Sequence, residues 1–88
     1  MPKVVSNTSP IISSLKLNRL DLLKQLYKQI YIPVAVYIEI EAGNAKGFYK
    51  DLSKIDWIKI VEIQDKQAVK YFLDLDSGEA EAIVLATE

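Results

Sequence analysis

The feature that most restricts the fold of this sequence is an alternation of short β-branched segments with segments of helical periodicity. Strand-like stretches occupy residues 3–6, 29–32 and 57–63 of the 88-residue chain. Two helix-like segments follow the first strand, one follows the second, and further helices follow the third. This alternation predicts an α/β fold, in which helices cover both faces of a parallel sheet of about three strands. We expect a single domain over residues 1–88, because this length is too short for two cores.

Cap residues, prolines and a glycine predict the boundaries of the helices. A first helix should begin near Pro10, behind the cap residues Asn7, Thr8 and Ser9. Asn18 offers a new cap for a second helix over residues 19–28. Pro33 opens a third helix over residues 34–42, and Gly43 is expected to end it as a left-handed terminator. Asp65 can cap the next helix, whose apolar face is formed by Ala68, Val69, Phe72 and Leu73. Asp76 and Glu79 form a capping box for the last helix, whose buried face is formed by Ala80, Ile83, Val84 and Thr87. Residues 44–52 fit either a weak helix or an ordered loop.

Composition excludes several classes of site. The chain has no cysteine and no histidine, so disulfides, the common zinc sites and histidine-based nucleophile pairs are all excluded. Any metal must therefore bind oxygen ligands. Eleven basic and twelve acidic residues give a net charge of -1, so no overall positive field attracts the chain to nucleic acid. A local basic patch that binds nucleic acid is still compatible with the sequence, although a solvated lysine face is the commoner arrangement. In such a patch Phe48 or Tyr49 would stack on bases, and the phosphates would be bound by Lys24, Lys28, Lys46, Lys50 and Lys54.

The sequence also bears on localisation. No apolar run approaches the roughly 20 residues that a membrane span needs, and the first residues lack the apolar stretch of a signal peptide. We expect a cytoplasmic protein with no membrane partner.

Polar residues follow the predicted strands at positions where parallel sheets bind ligands. Such sheets bind ligands beyond the carboxyl ends of their strands. Asn7, Thr8 and Ser9 follow the first strand, and Glu39 and Glu41 lie on the helix after the second. Asp76, Glu79 and Glu81 open the final helix. If these groups converge, their oxygens would suit Mg²⁺ or Mn²⁺ and metal-assisted hydrolysis of a phosphodiester.

Each of these residues also has an ordinary structural interpretation. Glu39 and Glu41 fit the solvated face of an amphipathic helix, and Glu79 fits a capping box. Thr8 and Ser9 fit helix caps, and Asn7 fits a turn after a strand. Spacing alone leaves both interpretations open.

Four blocks of sequence, taken in order, resemble a PIN domain. They are VVSNTSPII at residues 4–12, LNRLDLL at 17–23, IPVAVYIEI at 32–40 and DSGEAEAIVLA at 76–86. More narrowly, the chain resembles a PIN-like branch that is catalogued as a domain of unknown function and is related to the VapC-type toxins of prokaryotic toxin-antitoxin pairs. The blocks span nearly the whole chain.

This resemblance implies a three-layer α/β/α fold and Mg²⁺- or Mn²⁺-dependent cleavage of RNA. It implies catalytic roles for Asn7, Glu39 and Glu79, with Glu39 and Glu79 as metal ligands and Glu81 as a neighbour. Thr8 and Ser9 would position substrate or water by hydrogen bonding. Asn7 stands where the family usually has an aspartate, so it supplies one carbonyl oxygen and no charge.

A second departure from the family pattern concerns the end of the chain. Family members continue into a further strand that ends in one or two aspartates, and this sequence ends at Glu88 before that point. We therefore expect an incomplete active site and a homo-oligomer, formed by strand pairing or by exchange of the last helix. The alternatives are a noncatalytic PIN-like module that binds itself, an antitoxin-like protein or RNA, and a structural fragment without independent function.

Overall fold

The structure is a computed structural model that describes residues 3–88. Its regular elements are the helices α1 (Thr8–Lys16), α2 (Asp21–Tyr27), α3 (Val34–Glu41) and α4 (Ser77–Thr87), the strands β1 (Ile30–Pro33) and β2 (Ile58–Val61), and two 3₁₀ helices, Leu52–Lys54 and Ala68–Phe72. None of the helices within these residues has the length and apolar character required to cross a membrane.

The sheet is parallel and, within residues 3–88, has two regular strands rather than about three; β1 lies between β2 and the extended segment 4–6. β1 and β2 pair with Ile30 opposite Ile58 at one end and Pro33 opposite Val61 at the other. On the other side of β1, the extended segment 4–6 forms a single parallel bridge between Val5 and Tyr31. Tyr31 N–H donates to the Val4 carbonyl at 2.8 Å, and Ser6 N–H donates to the Tyr31 carbonyl at 3.0 Å. The predicted first strand is therefore shorter than a regular strand, because the chain enters α1 directly after Ser6 and Asn7.

Two apolar clusters lie on opposite faces of this sheet. Alternate residues of a strand point to opposite faces, and Ile30 and Ile32 of β1 belong to the larger cluster while Tyr31 packs against the smaller one. The larger cluster includes buried residues of α1 and α3, and the smaller one includes Val84 and Leu85 of α4. Helices thus cover both faces, and the α/β/α layering is confirmed.

The helix starts and ends differ from the predicted ones in two places. α1 begins at Thr8 with Asn7 as its N-cap, so Pro10 is the third helical residue. Proline is tolerated there because the first four N–H groups of a helix have no partner within it. Asn18 does not cap α2 as predicted; it ends α1 with a φ of 55°. The Asn18 N–H donates to the Leu15 carbonyl, and the Arg19 N–H donates to the Ser14 carbonyl. This pair of bonds is a Schellman motif.

The segment after α3 is also less regular than predicted. α3 ends at Glu41, and no glycine within residues 3–88 has a positive φ, so Gly43 is not a left-handed terminator. Residues 44–50 form turns, which agrees with the ordered-loop alternative. The helix predicted after Asp65 is a short 3₁₀ helix, although the Asp65 carboxylate does accept a bond from Ala68 N–H at 3.1 Å.

Two helices bury different residues from those expected. α2 has no buried residue, and Leu26 and Tyr27 are 71% and 42% exposed. α4 buries Gly78, Ala80, Val84 and Leu85, whereas Ile83 is 40% exposed and Thr87 is also exposed. α4 packs against α3, β1 and the second 3₁₀ helix together, so its buried surface is wider than the stripe predicted from spacing.

Candidate functional site

The carboxylate of Glu39 joins the beginnings of two helices. Glu39 lies on α3, and its Oε2 accepts a hydrogen bond of 2.7 Å from the Thr8 hydroxyl at the start of α1. Its Oε1 accepts a bond of 3.0 Å from Gly78 N–H in the first turn of α4. Helix N-termini carry unpaired N–H groups and a partial positive charge, so a carboxylate is stabilised in this position. Three distant parts of the sequence therefore meet at one side chain.

Gly78 makes the close approach of Glu39 possible. A Cβ at this position would lie 2.5 Å from Oε1 of Glu39, well inside any normal contact distance. The glycine thus allows the carboxylate to reach the backbone of α4. The sequence pattern does not assign Gly78 a role. The only sequence feature that could indicate one is the presence of a glycine inside the otherwise helix-favouring segment DSGEAEA.

Asn7 and Glu79 line the same cavity. This edge cavity has a volume of about 450 Å³ and lies at the open side of the extended segment 4–7, between α2 and α4. Asn7 is half-buried, and its side chain makes no capping bond to α1, so its amide group remains available to a ligand. Each of the two residues is the chain neighbour of a Glu39 hydrogen-bond donor, Thr8 for Asn7 and Gly78 for Glu79.

The capping-box interpretation of Glu79 is half fulfilled. Asp76 Oδ1 accepts a bond of 2.9 Å from Glu79 N–H, and this interaction caps α4. Within residues 3–88 the Glu79 carboxylate makes no hydrogen bond back to the helix start, and its side chain is exposed. The acidic group of Glu79 is therefore available to a ligand.

The remaining sequence candidates have other partners or none. Glu81 Oε1 accepts a bond of 3.1 Å from Ala35 N–H at the start of α3. Glu41 accepts two bonds of 2.6 Å from the Tyr49 hydroxyl, and this carboxylate together with burial raises the pKa of Tyr49 far above its ordinary value. Ser9 is exposed and makes no hydrogen bond to Glu39 in the described part of the chain. Of the predicted positioning residues, only Thr8 contacts Glu39.

The chemistry of these groups is compatible with a hard divalent cation. Among residues 3–88 no group of three or more acidic, histidine or cysteine side chains is arranged to hold a metal. Two carboxylates, Glu39 and Glu79, and the amide oxygen of Asn7 remain as oxygen donors. Mg²⁺ commonly binds through one or two protein carboxylates and keeps several waters. A carboxylate has about four lone-pair sites, so the bonds from Thr8 and Gly78 leave Glu39 able to bind a cation.

Comparison with known proteins gives one match. A family model described as a PIN domain, DUF3368, matches residues 3–88. No curated protein and no solved structure matches the chain.

Proposed function

The chain belongs to the PIN-domain family, and on that premise we propose that it is a nucleic-acid-binding protein that cleaves RNA with Mg²⁺ or Mn²⁺. The observation that carries the proposal is the double anchoring of the Glu39 carboxylate by Thr8 and Gly78. The edge cavity provides space for a ligand at Asn7 and Glu79, the chain neighbours of these two anchors, although Glu39 itself does not line it. The same fold without this arrangement would not indicate a reaction, because fold alone does not fix function.

The proposed roles of the residues follow from their chemistry. Glu39 and Glu79 would hold the cation through carboxylate oxygens, and Asn7 would orient it or its water through the amide oxygen. When bound, the cation polarises the scissile phosphate and lowers the pKa of a water molecule so that hydroxide forms. Thr8 and Gly78 fix both oxygens of Glu39 in advance, which spares the cost of ordering this side chain during the reaction. Ser9 would hydrogen-bond to substrate or water from the exposed side.

An RNA-cleavage assay tests the proposal. Wild-type protein should degrade a labelled RNA when Mn²⁺ or Mg²⁺ is present, and cleavage should stop when the metal is chelated. Glu39→Gln keeps the size of the side chain and removes its charge, so we expect activity to fall on the order of 100-fold or more. Glu62→Gln is the matched control, because Glu62 is exposed and pairs with Lys66 away from the site. Equal activity of Glu39→Gln and wild type would exclude this mechanism.

The proposal extends to the biological setting implied by the family. We place the activity among VapC-type toxins, with cytoplasmic RNA as substrate and an antitoxin protein as partner. Expression of the wild-type chain in bacteria should then slow growth, and expression of Glu39→Gln at the same level should not. Equal growth of both strains, with both proteins soluble, would count against the toxin assignment.

A second candidate function is noncatalytic self-association, and the edge cavity favours it. Val5 N–H and C=O point away from β1, since the bonds to Tyr31 use Val4 and Ser6, and within residues 3–88 they have no backbone partner. Leu23 and Tyr27 of α2 line the same cavity, so one surface carries both an open sheet edge and apolar side chains. A second copy of the chain presents this same surface, and a net charge of -1 opposes pairing only weakly.

Sedimentation equilibrium tests self-association. Tyr27 is 42% exposed and lines this cavity, so Tyr27→Gln should leave the fold intact while weakening the dimer at least tenfold if the cavity lies in the interface. Tyr71→Gln is a matched control, because Tyr71 is 85% exposed and does not line the cavity. A wild-type chain that remains a monomer at high concentration would exclude this candidate.

A further inference from the structure

A cavity separate from the edge cavity borders Glu39, and no residue of α4 lines it. This Phe48 cavity has a volume of about 440 Å³, within the range of roughly 300–1,000 Å³ that is usual for small-ligand pockets. Thr8 and Glu39 form one wall, and α1 and the turns after α3 form the others. Its lining includes two lysines and two aromatic rings, Lys16, Lys46, Phe48 and Tyr49.

The two lysines are available for an anionic ligand. The ion pairs within residues 3–88 are Arg19 with Asp21 and Lys66 with Glu62, so neither Lys16 nor Lys46 is neutralised by a described carboxylate. Lys16 Nζ lies 5.8 Å from the centroid of the Phe48 ring, which places a cation and an aromatic ring on the same cavity wall. Lys46 is the one member of the predicted basic patch that lines this cavity, and the sequence did not indicate Lys16 as part of that patch.

The two aromatic rings are held in place by the rest of the fold. Phe48 is half-buried and packs against the larger apolar cluster, so its ring is anchored from behind. Tyr49 is fixed by its hydroxyl, which donates to Glu41 at 2.6 Å. Rings ordered in advance stack on a ligand with little further loss of conformational freedom. Aromatic rings beside lysines are the common arrangement for binding single-stranded nucleic acid.

We propose that the Phe48 cavity binds one unpaired nucleotide of an RNA strand, with its base against Phe48 or Tyr49 and its phosphate against Lys16 and Lys46. The position of this nucleotide next to the scissile phosphate rests on the proposed function, because Glu39 borders the cavity. An unpaired strand is required, since a base within a duplex has no free face for stacking. The inference thus assigns a nucleotide site to the Phe48 cavity.

RNA binding without cleavage tests this inference. Fluorescence anisotropy of a labelled single-stranded RNA is measured with Glu39→Gln protein in a metal chelator, so that no hydrolysis occurs. In this background Phe48→Leu should weaken binding on the order of tenfold, because stacking is lost while an apolar side chain remains to fill the core. Lys16→Gln and Lys46→Gln should each reduce the slope of log affinity against log salt by about 0.7.

The matched control is Lys70→Gln. Lys70 is exposed on the second 3₁₀ helix and does not line the Phe48 cavity, but its substitution changes the net charge by the same amount. We expect this variant to bind RNA as the Glu39→Gln background does. Thermal melting of each variant checks folding, and the two lysine variants keep the test valid if Phe48→Leu is unstable, because both lysines are exposed.

The outcomes separate this inference from the proposed function. Metal-dependent cleavage together with unchanged binding in all three cavity variants would overturn the inference and leave the ribonuclease proposal standing. Loss of binding in the cavity variants, without any cleavage by wild type, would support the nucleotide site and reject the enzyme. Equal binding of single-stranded and duplex RNA, or no binding of single-stranded RNA, would overturn the inference.

Discussion

Gly78 determines how closely the carboxylate of Glu39 approaches the first turn of α4. A methyl group at this position would meet Oε1 at 2.5 Å, and the atom that must move is the end of a flexible side chain. The fold can therefore accept an alanine by releasing Glu39. The consequence falls on the site more than on stability, because Glu39 would lose the Gly78 N–H that orients it.

The first prediction concerns Gly78→Ala. The free energy of unfolding should change by less than about 1 kcal/mol, because the loss of one partly buried hydrogen bond is offset by the better helix propensity of alanine. Metal-dependent cleavage should nevertheless fall on the order of tenfold, because Glu39 is no longer fixed. Urea unfolding and the RNA-cleavage assay provide the two measurements.

Gly47→Ala is the control for this prediction. No atom lies within 4 Å of a Cβ at Gly47, and its φ is not positive, so alanine should leave both stability and cleavage near wild type. A variant that combines Gly78→Ala with Glu39→Gln should be no less active than Glu39→Gln alone. A further loss of activity in the combined variant would show that Gly78 acts through some other group.

Single residues of the candidate site were only partly predictable from sequence. The position of Glu39 on the helix after β1 makes it a candidate, and the structure brings its carboxylate to Thr8 and to the start of α4. Ser9 does not reach Glu39, and Gly78 was missed. A sequence pattern indicates which groups can bind a ligand, but it does not indicate which backbone N–H a carboxylate will reach across 39 residues.

Helices α3 and α4 cap one another. Glu39 on α3 accepts a bond from Gly78 N–H near the start of α4, and Glu81 on α4 accepts one from Ala35 N–H near the start of α3. Each carboxylate meets the positive end of the other helix, which is a favourable arrangement of charge. The two helices are therefore fixed relative to each other by electrostatics as well as by apolar contact.

The second prediction concerns Glu81→Gln. Loss of the charge at the start of α3 should lower the free energy of unfolding by about 0.3–1 kcal/mol, with the difference from wild type decreasing as salt increases. Chemical denaturation at low and high salt measures this change. Asp74→Asn removes an equally negative but exposed side chain and should have little effect. A salt-independent loss in Glu81→Gln would indicate altered packing instead.

The third prediction concerns pH and the first 3₁₀ helix. The hydroxyl and backbone N–H of Ser53 both donate to Asp51, and they hold the pKa of Asp51 below its ordinary value. A lowered folded-state pKa stabilises the fold fully above the unfolded-state pKa of about 3.9, and this contribution is lost as the pH falls through the folded-state value. Asp51→Asn should therefore be less stable than wild type at pH 7, and the difference should shrink below about pH 3.9. Urea unfolding across this pH range is the measurement; a difference that stays constant to pH 2 would contradict it.

At the scale of elements, the order of helices and strands was predictable, and several of their ends were not. β2 lies within its predicted segment, and β1 matches its own except that it extends one residue further to Pro33, because β-branched residues and Pro33 restrict the backbone locally. The prediction that Asn18 caps α2 was wrong, because asparagine serves both as an N-cap and in the left-handed position that ends a helix. Which of these roles applies depends on how α1 and α2 pack, and the local sequence does not contain that information.

For the molecule as a whole, alternation of elements predicted the parallel sheet and the helices on both of its faces. The exposure of α2 was not predicted, because its leucines have the spacing of a buried face, whereas the structure leaves Leu22 and Leu26 38% and 71% exposed. Spacing identifies a face that can be buried, but burial also needs a partner surface. Self-association through this surface, as proposed above, would supply one.

We propose that Asn7, Glu39 and Glu79 together hold a divalent cation where the starts of α1 and α4 meet. The most direct test is a titration with Mn²⁺ monitored by NMR, since this paramagnetic ion broadens the signals of nearby amides. Small amounts of Mn²⁺ should broaden the Thr8, Gly78 and Glu79 amides first in wild type, and the effect should disappear in Glu39→Gln. Broadening centred on other amides, or broadening that is unchanged in Glu39→Gln, would contradict this cation site.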